Sequence, residues 1–444
     1  MKDWFAENPQ IRTVLTAVSD LNGQARGKRM PRGLGPDVEE NGTRFPLSTL
    51  NLDIWGDDIE GSPLVFETGD PDGVYRPTER GYVPMPWLKQ TSALLPLWAF
   101  EVDGRPFAGD PRHALASVVE RYKARGLTPV VSTEMEFYLV DDSGSEIMRP
   151  RSPRSGKRRA GGELLSLRAL DAFDTFFNEL YDACEQMDLP AESSVSECGE
   201  GQFEINLRHV PDALRAADDA WLFKMLVQGL ARNHGMAASF MAKPYEDNAG
   251  NGLHTHFSVL DEAGRNVFAD GTDNGSPVLH NAVAGCLSAL RDLSLIFAPH
   301  GNSYARLVPG SHAPTSICWA HENRTAAVRV PGGSPAAKRI EHRVAGGDVN
   351  PYLFLAAVLG SALLGIEDEA TPPPPITGNA YEQKLPQIPG SWAESIDVFE
   401  ASPLAKRIFP PMLIDNMVRT KRQEFDSFYA LSPEEQLSHY LDTV

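Results

Sequence analysis

Glu134 and Glu136 flank Met135 in VVSTEMEFYLV, Gln202 and Glu204 flank Phe203 in GQFEINL, His254 and His256 flank Thr255 in GLHTHFSV, and Arg339, Glu341 and Arg343 alternate in KRIEHRV. Side chains two apart on a strand share one face. Half-buried strands ordinarily turn apolar residues to the core and polar ones to water, so four runs with ionisable residues on one face predict a common polar cavity. Two carboxylates at this spacing lie about 7 Å apart. They repel when unpaired, and neighbouring cations relieve the repulsion. Hard divalent ions such as Mg²⁺ or Mn²⁺ take oxygen ligands and an occasional imidazole. Glu134, Glu136, Glu197, Glu204, Glu341 and His254 supply that inventory for two or more ions. A single run of this kind is explained as well by ion pairs with nearby arginines; four together point to metal.

Arg306, Arg324, Arg329, Arg339 and Arg343 lie close together in sequence among apolar residues. Guanidinium forks suit phosphate and carboxylate oxygens, and divalent ions with arginines are the recurring parts of phosphoryl transfer. The chain has no GxxxxGK[ST] loop and no kinase-type glycine loop, which excludes the P-loop and protein-kinase classes. A two-metal hydrolase fits the same carboxylates and histidines.

The elements that position these residues divide the chain in two. IRTVLTAVSD and LNGQARGKRM read as two strands about an Asn22-Gly23 turn, the start of a small N-terminal β domain over residues 1–108. At Gly109-Asp110-Pro111 an N-cap and a first-turn proline open a helix carrying Leu115, Val118, Val119 and Tyr122, which Gly126 ends. A large domain over 109–444 follows, in which helices alternate with the polar strands. Leu170, Phe173, Phe177, Leu180 and Cys184 form one amphipathic stripe, and 212–233, 276–296 and 351–366 read as further helices. The basic run RPRSPRSGKRRAGG reads as a solvated loop and TPPPPITGNAY as a linker or surface loop. With 444 residues, 42% of them hydrophobic, the chain can bury a large core. Its formal charge of −19 argues against a nucleic-acid surface. No long apolar run or signal-like N-terminus is present, so no membrane span is expected and the default location is cytoplasmic. Four scattered cysteines, without a CxxC pair, read as reduced core thiols.

STEMEFYLV, ECGEGQFEINL, SFMAKPYEDNAGNGLHTHFSV, NSYARLVPGSHAPT, ENRTAAVRVP and KRIEHRVAGGDVNPYL, in this order over nearly the whole chain, resemble the glutamine synthetase superfamily. The resemblance implies an α+β fold: an N-terminal β-grasp domain and a catalytic domain with a barrel-like antiparallel sheet flanked by helices. It also implies a homo-oligomer, a dodecamer of two hexameric rings whose active sites are shared between neighbours. Matched motif by motif, Glu136, Glu197 and Glu204 would hold one Mg²⁺ or Mn²⁺, and Glu134, His254 and Glu341 a second beside the nucleotide. Arg306 and Arg343, with the loop at Gly250, would bind glutamate; Arg324, Arg329 and Arg339 would face the phosphates; Glu192, His256 and Ser258 would line the ATP pocket. The implied reaction phosphorylates the γ-carboxylate of glutamate with ATP, after which an amine displaces phosphate.

The departures from the family pattern concern the amine. The flap that carries a glutamate in ammonia-using members reads PGSH, with His312 in that place. An imidazole can act as a base but supplies no anionic cage for ammonium. NGSGMH becomes AGNGLH, which puts Ala249 in place of an asparagine; a lysine of the nucleotide region is replaced by Ala336; Asp53 matches the ammonium-site aspartate only loosely. With PLSTLNLDIWGDDIEGSPLVFETGDPDGV, these departures resemble the γ-glutamyl-polyamine synthetase branch, and Asp57, Asp58 and Glu60 are candidates to meet a cationic amine tail. A putrescine-type acceptor is expected. Ammonia, or a small monoamine such as methylamine, ethanolamine or isopropylamine, is the alternative, and a non-catalytic assembly the remotest.

Overall fold

The computed structural model describes residues 4–144, 147–158 and 161–444. Its first sheet is built from β1 (Thr13–Ser19), β2 (Ala25–Pro31), β3 (Thr43–Pro46), β4 (Asp72–Pro77), β5 (Val83–Pro84) and β6 (Ser92–Phe100). The order is β2-β1-β6-β4-β3, with β5 on β6; β1 and β6 run parallel and the other pairs antiparallel. β1 and β2 are the expected pair, but their connection spans 20–24 and is organised by Asp20. Its carboxylate accepts from the backbone N–H of Asn22 at 2.9 Å and of Gln24 at 2.8 Å, and Gly23 takes a φ of +81°.

The second sheet holds β7 (Thr128–Val140), β8 (Ala191–Ser196), β9 (Gln202–Leu207), β10 (Ala237–Ser239), β11 (Leu253–Leu260), β12 (Trp319–His321), β13 (Val328–Val330) and β14 (Ile340–His342). The order β12-β13-β14-β11-β7-β9-β8, with β10 on β7, is antiparallel except for β12 with β13. Helices Pro111–Lys123, Ala213–Asn233, Pro277–Asp292 and Pro351–Glu367 cover its apolar side. Pro351–Glu367 is apolar on all sides because it is buried on nearly all of them. None of the described helices is long and apolar enough to cross a membrane. Hydrogen bonds tie the first sheet to these helices: Asn350 Nδ2 donates to the Asp20 carbonyl at 2.8 Å, and Trp221 Nε1 to that of Gly23 at 2.9 Å.

The helix opened by Asp110 runs as expected, its carboxylate accepting from Arg112 N at 2.8 Å. Three expectations need correction. The stripe from Leu170 to Cys184 is two helices, Leu167–Asp171 and Asp174–Gln186, broken where Phe173 leaves helical geometry (φ −120°) to pack edge-on against Phe203. The 276–296 segment breaks likewise at Leu293. The basic loop is partly pinned: Arg149 pairs with Glu200 at 2.7 Å and Arg158 with Asp141 at 2.5 Å, while Arg159 and Ala160 lie outside the described residues. The proline-rich segment is a surface loop, as expected, and one side of it docks, with Trp319 Nε1 donating to the Pro373 carbonyl at 2.6 Å and Ile376 and Leu385 covering Cys318 and Ala320.

Candidate active site

β7 lies between β9 and β11, and its register carries the chemistry. Glu134 stands opposite His254 on one side and Asn206 on the other, and Glu136 opposite Glu204. β14 sets Glu341 opposite His256, and β13 sets Arg329 opposite Glu341. Residues directly opposed in a ladder project to the same face, so the polar runs do share one surface.

Two groups of ligand atoms converge there. Glu134, His254 and Glu341 come within 4.8 Å of one another, and so do Glu136, Glu204 and His254. The first is the trio expected for the metal beside the nucleotide. In the second, His254 closes on Glu136 and Glu204 to that distance while Glu197, expected there, stands further off on the same cavity wall. Burial, with Glu197 beside it, pushes the Glu136 carboxyl up to about 7. Burial together with Glu134, Glu136 and Glu197 pushes Glu204 up to about 9. Burial opposes the charge on Glu134 too, yet hydrogen bonds from His254 and His256 hold that carboxyl far below its usual range. Burial and Arg343 bring the His254 imidazole down to about 4, so it is neutral and offers a lone pair. Opposed carboxylates raised by burial and by neighbouring carboxylates, with a neutral imidazole beside them, are a donor set that fits Mg²⁺ or Mn²⁺.

A cavity of about 510 Å³ opens over these groups. Glu134, Glu136, Glu197, Glu204 and His254 form its floor, and Gly250, Arg306, Arg324, Arg343 and the flap residue His312 also line it. The remaining candidates continue along the sheet. His256 Nε2 is 3.0 Å from Glu134 Oε1, and Arg339 Nε donates to His256 Nδ1 at 3.2 Å, which puts the imidazole proton on Nε2. Glu341 accepts from Arg329 Nη1 at 2.7 Å and from Arg343. Ser258 is one more step along the His256 face and half-buried, while Glu192 is exposed at the β8 edge, near enough to His209 to be felt electrostatically. Arg306 is buried and donates to the Val344 carbonyl at 2.7 Å.

The sequence reading missed the residues that shape this cavity. Gly252 N–H donates to Glu136 Oε2 at 2.6 Å, and a Cβ there would lie 2.9 Å from Arg306 Nη2. Gln202 Nε2 donates to the Gly250 carbonyl at 2.9 Å, and the Tyr138 hydroxyl to that of Ala249 at 2.7 Å. Tyr138 stands opposite Gln202, one alternation step beyond Glu136, so extending that face by one step would have found it; Gln202 is already on the polar face, without its role in holding the loop. Tyr381, read as an ordinary loop residue, donates to the Ala313 carbonyl at 2.9 Å and braces the flap. Cys198, read as a core thiol, is exposed and lines the cavity. Asp53 accepts from the backbone of Trp55, Gly56 and Asp57 and so caps its own loop.

A curled antiparallel sheet with such a double carboxylate–imidazole floor and an arginine wall is the fold and site of a glutamine synthetase-type ligase. The chain belongs to that family: residues 108–440 match the family described as "Glutamine synthetase, catalytic domain", and the protein is a glutamate–amine ligase. It is 36% identical over 402 residues to the γ-glutamylputrescine synthetase of Escherichia coli (strain K12), covering 90% of this chain and 85% of that one. With the γ-glutamylethanolamide synthetase of Streptomyces coelicolor it shares 35% over 426 residues, or 95% and 90% of the two chains. Among solved structures a GmaS/ADP complex superposes with a TM-score of 0.84 at 29% identity, covering 99% of this chain and 98% of that one. Enzymes of this family use ATP and divalent metals.

Proposed function

We propose that this ligase joins the γ-carboxylate of glutamate to a primary amine larger than ammonia, putrescine or a related polyamine, by way of γ-glutamyl phosphate. One observation carries the reading. Every carboxylate lining the cavity among the described residues, Glu134, Glu136, Glu197 and Glu204, belongs to the candidate ligand set, and the flap contributes the imidazole of His312. Within one chain the cavity thus keeps no spare anion to select ammonium, while an imidazole base suits an amine that must lose a proton as it attacks. The E. coli relative that makes γ-glutamylputrescine supports the acceptor class.

In this reading Arg306 and Arg343, beside Gly250, hold glutamate with its γ-carboxylate over the floor. Arg324, Arg329 and Arg339 take the charge on the transferred phosphoryl group. Glu192, His256 and Ser258 line the path to the nucleotide. Mg²⁺ or Mn²⁺ at Glu136/Glu197/Glu204 and at Glu134/His254/Glu341 supplies charge neutralisation for ATP and the acyl phosphate. His312 accepts the amine proton as nitrogen displaces phosphate. Residues 1–108 form the N-terminal domain and 109–444 the catalytic one, in a dodecamer of two rings. There Asp57, Asp58 and Glu60 would reach a neighbour's site; within one chain they line a separate cavity of about 900 Å³ with Arg419 and Arg422.

Phosphate release with glutamate and ATP, measured across ammonia, methylamine, ethanolamine, putrescine and spermidine, decides the matter. Putrescine or spermidine is expected to give the highest kcat/KM. Ethanolamine leading would favour the activity of the Streptomyces relative, and ammonia leading would refute the proposal.

A further inference from the structure

Leu164 and Leu165 are 56% and 70% exposed, and both line the catalytic cavity. They stand near Glu197 and Val195, with the flap residues Ser311–Ala313 on the same cavity. Large apolar side chains left open in a wall whose floor is carboxylate and imidazole have no part in metal or phosphate binding. Leu165 also holds a φ of +55°, a left-handed conformation that L side chains rarely adopt. The backbone is fastened in it: Leu165 N–H donates to the Ser196 carbonyl at 2.8 Å, Ser166 N–H to Ser196 Oγ at 2.7 Å, and Ser196 Oγ to the Glu163 carbonyl at 2.7 Å. A glycine would satisfy that backbone without strain. Strain of this kind persists where the surroundings over-determine it, characteristically at ligand-contacting positions.

We infer that Leu164 and Leu165 form the wall on which the carbon chain of the acceptor amine lies, and that they set the chain length the enzyme prefers. The inference rests on the ligase reading above. An amine nitrogen that reaches the γ-carboxyl between Glu197 and His312 trails its carbon chain past the two leucines and Val195. Methylene groups lose water against that wall, and ammonia has none to lose. A diamine lays its stem there, with its second ammonium beyond the two leucines. The leucines are specificity-determining and take no part in proton or phosphoryl transfer.

The test compares wild type, Leu164→Ala, Leu165→Gly and Leu164→Phe, each as the whole enzyme with glutamate and ATP, on methylamine, propylamine, butylamine and putrescine. The readout is the ratio of kcat/KM for butylamine to that for methylamine. Truncating either leucine is expected to lower it by on the order of tenfold, and Leu164→Phe to move the best chain length downward. Leu165→Gly relieves the backbone, so it guards against a trivial folding loss. Ratios that stay constant in all variants, or a uniform fall for every amine, would overturn the inference. So would a constant ratio with a dissociated oligomer by sedimentation, which would make the leucines a subunit contact. A wild type that turns over ammonia alone would sink the acceptor class itself, visible before any variant is made.

Discussion

Glu136 on β7 stands directly across the ladder from Glu204 on β9, and burial raises both carboxyls, helped by Glu197 at Glu136 and by Glu134, Glu136 and Glu197 at Glu204. Among the described residues only Asn206 Nδ2, at 3.1 Å, gives Glu204 a side-chain hydrogen bond. Glu204→Gln keeps that bond and removes a charge. Without metal the variant is expected to be more stable than wild type at pH 8, by on the order of 2 kcal/mol. Mg²⁺ or Mn²⁺ should raise the melting temperature of wild type and much less that of the variant. Differential scanning fluorimetry with and without metal measures both; equal metal shifts would take Glu204 out of the ligand set.

The hydroxyl of Tyr381 is the one side-chain hydrogen bond donated to the Ala313 carbonyl among the described residues, and it fixes the flap beside His312, itself at a φ of +63°. Tyr381→Phe deletes that bond, about 1 kcal/mol. We expect kcat to fall about fivefold while KM for ATP stays put. Steady-state kinetics would show the reverse pattern if Tyr381 served the nucleotide.

A Cβ at Gly250 would lie 2.4 Å from the Ala242 carbonyl oxygen and 2.8 Å from Arg306 Cγ. Backbone cannot yield at the first contact, so Gly250→Ala should displace the loop and Arg306 with it. KM for glutamate is expected to rise at least about tenfold, the scale of a misplaced charge-assisted contact. Isothermal titration with glutamate reads the same loss as affinity, and unchanged binding would separate this loop from the substrate.

Burial pushes the Asp20 carboxyl from 3.8 up to about 6, against the pull of Arg26 at 2.8 Å. The folded chain therefore binds this proton more tightly than the unfolded chain does. The contribution is fully present below about pH 4 and lost as pH rises through 6, a swing of about 3 kcal/mol. Asp20→Asn should flatten that window. Urea unfolding of both proteins from pH 4 to 7 isolates it as a difference, and parallel curves would contradict the assignment.

The polar strand faces and the capped helix at Asp110 were legible because strand period and capping are local. The single stripe from Leu170 to Cys184 misled because periodicity survives a break: Phe173 leaves the helix but still faces the core against Phe203. The proline-rich segment is the loop its composition says, but its docking was not legible, because Trp319, Cys318 and Ala320, more than fifty residues earlier, give it a surface.

By itself the sequence determined which side chains share a face and which family the ordered motifs belong to, since alternation and motif order need no distant partner. Tertiary structure decided which faces meet. It set Glu136 against Glu204, brought His254 into both ligand groups, linked Arg339 to His256, braced the flap from Tyr381, and turned Leu164 and Leu165 into the cavity wall. A one-residue slip of any of these strands would leave each local pattern intact and reverse every facing pair. Ladder register and loop closure, not composition, brought the candidate site residues together.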